Sequence, residues 1–348
     1  MTQAWPSKPK LLYAFQGTGN GHSARANEIV PLLKKWADVK VACSGLNRQL
    51  ELDFSIDYQW EGIGFEYNAE GGLDYWATIR KFKARRFIED TQNLDLKAFD
   101  LIINDFEPVT AWAARRQKAA ILGMGHQASF YSPNAPRPSK KNYLAEWIFK
   151  YYAPAKEVLG FHFDQYDQYI YPPVIREKVR SLELKDGKGF VCYLPAYHDE
   201  EIYQTLSAVS NKEFRVFSKL VTKPCQRRNI VFEPISGDTF LEAMAQSEGV
   251  ICSAGFETPA EAMFLKKKLL VVPIKGQYEQ YCNAQALKDK GVTVIKSLKK
   301  SNIPLLVDWI YEGEATELPV LEDLEQFLKK ELLKRLNLSS ARFHIERK

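Results

Sequence analysis

One stretch of the chain, residues 250–287, constrains the fold more than any other because it reads as two consecutive strand–turn–helix units. Apolar runs at residues 250–252 and 269–272 predict two short buried strands, and a helical pattern follows each of them. The turn at residues 253–255 consists of small residues, which lets the backbone bend sharply between strand and helix. The N–H groups at the start of the first helix then face the carboxyl edge of the sheet, where they suit a phosphate.

Polar side chains at the same edge are candidates to bind the rest of such a ligand. Glu261 lies further along the first helix, and residues 276–280 (GQYEQ) end the second crossover with amide, hydroxyl and carboxylate groups. One ligand could therefore span both loops. Taken singly these features are common, because small-residue turns occur in many α/β proteins and a glutamate on a helix usually faces solvent. Their order and spacing together give the prediction its strength.

The rest of the chain repeats the alternation of strand and helix, which predicts an α/β protein with parallel sheets covered on both faces. A chain of 348 residues is long enough for two domains. We place a first Rossmann-like domain at residues 1–165, a connection at 166–186, a second Rossmann-like domain at 187–320 and a final helix at 321–348. Helices are also predicted at residues 73–91 and 143–152; the second is aromatic-rich, which is typical of core or interdomain packing more than of a lipid-facing patch.

Net charge, cysteine content and hydrophobicity indicate which partners, compartment and metal binding to expect for this chain. The net charge of +5 is mild, so it does not call for a nucleic-acid partner, whereas anionic substrates or a membrane surface are compatible with it. The five cysteines show no CxxC spacing and are typical of buried free thiols in a reducing cytoplasm. No apolar run approaches the roughly 20 residues of a membrane helix, so we expect a cytoplasmic protein that is at most peripheral to the inner face of the membrane. Without an Asp-x-Asp pair or a His/Cys cluster at ligand spacing, no metal and no cofactor are expected.

A second glycine-rich turn follows the first predicted strand, at residues 16–22 (QGTGNGH). Its glycines indicate close approach of a ligand, although their spacing is not that of the dinucleotide fingerprint. His22 ends this turn at the start of a helix. Asp105 follows the strand at residues 101–104 and lies at the same sheet edge, where a carboxylate could orient the imidazole and raise its basicity. A helix N-cap is an equally good interpretation of Asp105.

The stretch at residues 250–287 resembles the nucleotide-binding half of two-domain, Rossmann-like glycosyltransferases of the GT-B fold. The nearest likenesses are the N-acetylglucosaminyl transferase of peptidoglycan synthesis and the UDP-glycosyl/glucuronosyl transferases. The likeness is close along this stretch and only topological elsewhere. It implies two domains that face each other across a cleft, with a nucleotide-diphosphate sugar in the C-terminal half, the acceptor in the N-terminal half, and the final helix crossing back onto the first domain.

The resemblance also implies roles for individual residues. In the donor half, the implied contacts are Ser253, Ala254, Gly255 and Phe256 for the diphosphate, Glu261 for the ribose, and Gln277, Glu279 and Gln280 for the donor sugar. In the acceptor half, the glycine-rich turn implies Gly19 and Gly21 near the acceptor, with His22 as the base and Asp105 as its partner. His126 and Gln127 follow the next predicted strand, either as acceptor contacts or as structural hydrogen-bonding groups.

These roles predict an inverting, metal-independent transfer of a sugar to a hydroxyl group of a lipid, glycan or small molecule. The predicted donor is a nucleotide-diphosphate sugar, and a UDP-sugar is the favoured one. His22 would remove the hydroxyl proton while a nucleoside diphosphate leaves. A nucleotide-sugar 2-epimerase of the same architecture is the alternative enzyme, but the arginine-rich clamp that it needs is not plain in the sequence. A non-catalytic nucleotide-sugar-binding protein is the other alternative, and the presence of His22 and Glu279-Gln280 counts against it.

Overall fold

The computed structural model describes residues 8–45, 50–64, 78, 80–184 and 187–345, with the backbone alone from residue 337. Within these ranges the chain forms two seven-stranded sheets with helices packed around them. The predicted architecture of two doubly wound α/β halves is therefore confirmed. No helix in the described ranges is long and apolar enough to cross a membrane.

The first sheet is parallel throughout and has the order β3-β2-β1-β4-β5-β6-β7. Its strands are β1 (Lys10–Gln16), β2 (Asp38–Ser44), β3 (Tyr58–Trp60), β4 (Leu101–Asp105), β5 (Ile121–Gly125), β6 (Glu157–Phe161) and β7 (Ile170–Tyr171). The central strand β1 is apolar on both faces, as expected for a parallel strand covered by helices on each side. The short strand β7 falls within the stretch that the sequence places in the connection.

The second sheet has the order β10-β11-β9-β8-β12-β13-β14 and is parallel except for the antiparallel pair β10–β11. Its strands are β8 (Phe190–Tyr193), β9 (Phe214–Ser218), β10 (Cys225–Arg227), β11 (Ile230–Pro234), β12 (Gly249–Ser253), β13 (Lys268–Val272) and β14 (Thr293–Val294). Strand β10 was not predicted. It also carries Cys225, which is exposed, whereas the other four cysteines are buried, so the expectation of buried thiols is wrong for Cys225.

Helices follow most strands in the order that the periodicity predicts. They are α1 (Asn20–Lys34), α2 (Ala84–Asn93), α3 (Pro108–Gln117), α4 (Tyr143–Tyr151), α5 (Glu177–Arg180), α6 (Asp199–Leu206), α7 (Gly237–Ala245), α8 (Glu257–Phe264), α9 (Tyr278–Asp289), α10 (Ile303–Glu312) and α11 (Leu324–Ile345). Much of the helix predicted at residues 73–91 lies outside the described residues, and α2 is its described part. A short 3-10 helix, Gln127–Tyr131, opens the loop after β5.

Each sheet reverses its strand order beside its first strand, which opens a crevice at the carboxyl ends of the neighbouring strands. In the first sheet Phe15 of β1 is paired with Asp105 of β4, so the turns after these strands leave the sheet side by side. In the second sheet Tyr193 of β8 is paired with Cys252 of β12. The two crevices face each other, because residues from both line one cavity.

The final helix α11 packs against the first half of the molecule. Its apolar side chains join the core that β1, β2 and β6 share, and Phe327 lies 4.5 Å from Tyr171 between ring centroids. Ion pairs at its margin connect Glu325 to Lys35, the residue after α1, and Arg335 to Glu157 of β6. The apolar core is continuous across both halves, since Phe163 and Phe256 contact each other within it.

Candidate functional site

The side chains of His22 and Asp105 meet at the centre of the cleft. The imidazole Nδ1 of His22 lies 2.9 Å from Asp105 Oδ1, although the two residues are 83 positions apart in the sequence. Asp105 is fully buried and can only accept at this oxygen when ionised, so Nδ1 carries the proton and Nε2 is free. The His22 side chain is 12% exposed and lines the cleft.

Arg25, one turn after His22 on α1, binds the same carboxylate. Its Nε donates to Asp105 Oδ2 at 2.8 Å and its Nη2 to Oδ1 at 3.1 Å, and the residue is only 4% exposed. Burial opposes ionisation of Asp105, but the charges of Arg25 and His22 outweigh it and lower the pKa of the carboxyl to about 2. Gly125 of β5 leaves room for this carboxylate, because a Cβ there would overlap Asp105 Oδ1.

A carboxylate from the second half completes this cluster of charges. Glu257, the first residue of α8, accepts from Arg25 Nη1 at 2.8 Å across the cleft. Its carboxylate lies against the first turn of α1, where a Cβ on Gly21 would come within 2.7 Å of Oε2. Gly21 therefore lets the two halves approach, and Gly19 before it ends the turn at a φ of 90°, a conformation that glycine adopts at low cost.

Phe106 follows Asp105 with a φ of 57°, which is unusual for an aromatic residue. Its ring stacks on Tyr152 at 4.7 Å between centroids and lies parallel to the imidazole of His22 at 6.4 Å. The hydroxyl of Tyr152 donates to Ile63 O at 2.6 Å and so holds that stack in place. This backbone conformation places an aromatic ring beside His22, and strained conformations of this kind cluster at functional sites.

A cavity of about 320 Å³, within the size range of ligand pockets, lies between His22 and the second half. The first half lines it with Gln16, Thr18, Gly19, Gly21, His22, Arg25, Phe106, His126, Gln127, Ala145, Ile148 and Phe149. The second half lines it with Gly255, Phe256, Glu257, Gln277, Tyr278, Glu279 and Gln280. Helix α4 contributes only apolar side chains to this lining, whereas polar side chains come from other elements of both halves.

The small-residue turn predicted to bind a diphosphate lies at the end of β12. Gly255 and Phe256 line the cavity, and space is open around Gly255, where a Cβ would meet no atom within 4 Å. Ala254 is buried and its carbonyl accepts from Asn283 Nδ2 at 3.2 Å, whereas Ser253 is half-buried at the end of the strand. The start of α8 therefore faces the cavity through residues 255–257.

His126 joins the two halves and is only 1% exposed. Its ring stacks on Phe256 with centroids 3.9 Å apart, its Nδ1 lies 2.9 Å from Phe161 O, and its Nε2 lies 2.9 Å from Asn283 Oδ1. Burial lowers the pKa of His126, although Glu279 acts in the opposite direction. Both ring nitrogens are thus engaged with protein atoms, so the structural interpretation of this residue has the support of its contacts.

The residues predicted to bind the donor sugar have different surroundings. Glu279 is one-third exposed, and its Oε2 accepts from Gln127 Nε2 at 3.0 Å across the cavity. Gln280 is 8% exposed; its Oε1 accepts from Ile274 N at 3.0 Å and its Nε2 donates to Gln277 Oε1 at 2.8 Å. Glu279 and Gln277 therefore present polar atoms to the cavity, while Gln280 braces the loop before α9.

Glu261 lies apart from this cavity. It is 2% exposed, and both of its carboxylate oxygens accept from Arg176, at 2.5 Å from Nε and 2.7 Å from Nη2. Burial raises the pKa of Glu261, and the hydrogen bonds and charge of Arg176 oppose that effect. In this structure the carboxylate predicted to bind ribose is engaged by an arginine of the connection.

A second cavity, of about 480 Å³, lies in the second half alone. It is lined by Leu194, Pro195, Ala196, Tyr197, His198, Asp199, Ile202, Phe217, Ser218, Lys219, Leu220, Ile274 and Gln277. Gln277 lines both cavities, so the two spaces adjoin at this residue. The second cavity lies beside the ends of β8 and β9, and therefore at the crevice of the second sheet.

The structure brings most of the predicted site residues around one space and adds residues that the sequence did not identify. Arg25, Glu257 and Phe106 were missed. A signal existed for Arg25, because residues three apart on a helix share a face and Arg25 follows His22 at that spacing. Among the residues described, no group of three or more His, Cys, Asp and Glu side chains is placed to hold a metal ion.

Comparison with known proteins agrees with this geometry. Residues 9–312 match the family model described as Glycosyl transferase family 1. Two facing doubly wound halves with a cleft between them, together with this match, define a glycosyltransferase of the GT-B class. Because the match covers most of the chain, the chain belongs to glycosyl transferase family 1. No curated protein matches the chain.

Several solved structures are similar to the whole chain. Phytolacca americana UGT2, complexed with UDP-2fluoro-glucose and pterostilbene, has a TM-score of 0.57 over 97% of this chain and 95% of its own at 11% identity. Acinetobacter baumannii MurG has a TM-score of 0.54 over 87% of this chain and 90% of its own at 14% identity. A UDP-N-acetylglucosamine 2-epimerase reaches 0.55 over 88% of each chain at 13% identity. At such identities the likeness shows the shared fold, and the predicted GT-B resemblance is confirmed.

Proposed function

We propose that this glycosyltransferase transfers a sugar from a nucleotide-diphosphate sugar, in the first place a UDP-sugar, to a hydroxyl acceptor with inversion and without a metal. The observation that carries the proposal is the hydrogen-bonded pair of His22 and Asp105, which faces the turn before α8 across a cavity large enough for the reacting groups. The pair belongs to one half and the turn to the other, as a base and a leaving-group site should.

In the proposed reaction the acceptor hydroxyl gives its proton to His22 Nε2 while its oxygen attacks the anomeric carbon. Asp105 holds the opposite nitrogen, fixes the tautomer and stabilises the imidazolium that forms. The bond between the anomeric carbon and the diphosphate oxygen breaks, and its electron pair leaves with the diphosphate. The N–H groups of residues 255–258 at the start of α8 would stabilise that charge, so the step needs no metal ion and no cofactor.

The donor would extend from this turn into the second half. The turn at residues 253–256 would bind the diphosphate, and Gln277 and Glu279 would contact the donor sugar, with Gln280 supporting the loop. The second cavity adjoins at Gln277 and offers space for the nucleoside. A similar structure, UGT2, was solved with UDP-2fluoro-glucose, which supports a UDP-sugar as the first ligand to test.

The acceptor would lie beside Gly19, Gly21 and Gln127, against the apolar wall that α4 forms. The outer face of α4 carries exposed apolar side chains, since Tyr143 is 82% and Trp147 57% exposed. A lipid, glycan or small molecule with an apolar portion fits such a wall. We therefore propose a cytoplasmic enzyme with peripheral contact at the inner face of the membrane, and no nucleic-acid partner.

A thermal-shift panel of nucleotide sugars tests the donor. At about 100 times its dissociation constant a true donor should stabilise the protein by roughly 2.7 kcal/mol. Incubation with the stabilising UDP-sugar alone then separates three functions. Release of free UDP supports the transferase mechanism with water as the acceptor, a C2 epimer of the sugar supports the epimerase, and binding without either product supports a non-catalytic binding protein.

A further inference from the structure

Four charged or ionisable side chains form one continuous chain of contacts at the centre of the cleft. His22 contacts Asp105, both Asp105 oxygens accept from Arg25, and Arg25 donates through Nη1 to Glu257. The arginine is 4% exposed and the aspartate is fully buried. Neither charge can be solvated by water in this position, so each depends on its partners for compensation.

The chain of contacts crosses from one half of the molecule to the other. His22, Arg25 and Asp105 all belong to the first half, whereas Glu257 is the first residue of α8 and follows the turn proposed to bind the diphosphate. Glu257 reaches Arg25 because Gly21 leaves space for its carboxylate. Its contact with Arg25 therefore exists only while the second half is docked against the start of α1.

The position of Glu257 changes the electrostatic balance at the base. With Glu257 in contact, two carboxylates face Arg25, and the negative charge of Asp105 remains available to stabilise a protonated His22. Without the charge of Glu257, Arg25 alone would neutralise Asp105, and a second positive charge on His22 would be less favourable. Charge interactions at these short distances are strong in a buried site, so the difference acts directly on the basicity of the imidazole.

We propose that Arg25 and Glu257 are positioning residues that couple the base strength of His22 to docking of the donor-binding turn against α1. The proposal rests on the proposed function, in which His22 is the base and the turn before α8 binds the donor. The acceptor would then be deprotonated efficiently only when the donor half is in place.

Other charged or ionisable groups face the same cluster and belong in the account of its pH dependence. Tyr13 of β1 lies beneath Arg25 and Asp105, and burial raises the pKa of its hydroxyl further from neutrality. His126 faces Glu257 and Arg25 from the end of β5, and Arg176 faces Glu257 from the connection. Variants at Glu257 are compared with all three of these residues unchanged.

The test measures the protonation of His22 in the full-length protein as a function of pH, by NMR of histidines labelled at Cε1. The chain has five histidines, and the signal lost in His22→Gln assigns the one of interest. Glu257→Gln keeps the size of a side chain that is 26% exposed and removes only its charge. We expect the midpoint of His22 protonation to move to lower pH by about one unit. The double variant Arg25→Gln, Glu257→Gln should return it toward the wild-type value.

A matched control is Glu248→Gln, which neutralises a partly exposed carboxylate in an ion pair with Lys212 at the opposite end of β12. It should leave the His22 midpoint unchanged. A midpoint that is the same in wild type, Glu257→Gln and Glu248→Gln overturns the proposal. Rescue by the double variant distinguishes charge coupling from local damage, because damage at two sites would not restore the midpoint.

The pH profile of UDP release from a bound UDP-sugar provides the second measurement. In Glu257→Gln the acidic limb of the profile should move to lower pH and the plateau rate should fall by about three- to tenfold, the response of a weaker base. A lower plateau with an unmoved acidic limb contradicts the coupling. A shifted His22 midpoint in a protein that releases no UDP from any donor supports the coupling and contradicts the proposed function, so the two failures are distinguishable.

Discussion

His22 acquires its chemistry from contacts that its own sequence neighbourhood does not contain. Asp105 at the end of β4 fixes its tautomer, and the ring of Phe106 lies parallel to the imidazole with centroids 6.4 Å apart. An imidazole held in this way has one nitrogen committed to the protein and one available to the ligand. The N-cap of α1 is Gly19, which has no side chain, and the Nδ1 of His22 contacts the carboxylate of Asp105.

Substitution of His22 should separate binding from chemistry. His22→Ala removes the proposed base but no proposed donor contact, so donor affinity should stay almost unchanged while transfer falls by about 10²–10⁴. Asp105→Asn should reproduce part of this loss, and the double variant should be scarcely worse than His22→Ala because the two residues act as one unit. Donor affinity by calorimetry and transfer rate by product analysis give the comparison. Wild-type transfer by His22→Ala would leave the base unassigned.

The helix α11 connects the end of the chain to its beginning. Its buried side chains recur at helical spacing and face the core of the first half: Leu324, Phe327, Leu328, Leu332 and Leu336. The polar face carries ion pairs within the helix, such as Lys329 with Glu325. Helices of this kind gain stability from the apolar face that they bury, more than from intrinsic propensity.

Leu332→Ala should destabilise the protein by about 2–5 kcal/mol, because the side chain is fully buried and its removal leaves a cavity. Urea unfolding followed by circular dichroism measures the loss. Val320→Ala is the matched control: its side chain is 93% exposed just before the helix, and it should change stability by less than about 0.5 kcal/mol. Equal stability of the two variants would show that α11 contributes little to the first half.

The two halves of the molecule meet through several polar contacts around one cleft. Arg25 with Glu257, Gln127 with Glu279, and Tyr278 with Glu146 each join a residue of the first half to one of the second. The connection adds the bidentate pair of Arg176 and Glu261, which ties it to α8. Relative movement of the halves must therefore break or exchange polar contacts that are close to the proposed donor.

Glu261→Ala tests whether this ion pair also serves the donor. Removal of the carboxylate leaves Arg176 without its main partner, and we expect a loss of about 3–5 kcal/mol in the free energy of unfolding. If Glu261 also accepts the ribose hydroxyls, donor affinity should weaken by about 1.5–3 kcal/mol, the value of hydrogen bonds to a charged group. Denaturation and calorimetry on the same preparation give both quantities. Lower stability with unchanged affinity would confine Glu261 to the ion pair.

Much of the fold could be predicted from the sequence because it depends on local patterns. Apolar runs, small-residue turns and helical periodicity lie within short stretches, so strands such as β1 and β12 and the turns after them were predicted close to their observed bounds. The short antiparallel strand β10 was not, since its three residues are all exposed and carry no apolar pattern. The pairing of Asp105 with His22 was accessible to reasoning, because adjacent parallel strands end at one edge.

What only the tertiary structure decided is which charges share the cleft. Arg25 and Glu257 are 232 residues apart, and Arg176 and Glu261 are 85 apart, so no spacing rule relates them. Their pairing depends on how two separately wound sheets face each other. The sequence alone determined the class of fold and the two turns, because these follow from local patterns, and it predicted the contact between His22 and Asp105 from the shared edge of adjacent strands. The packing of one half on the other determined the partners of the buried charges. A buried charge needs an opposite charge beside it, and only the packing decides which residue supplies it.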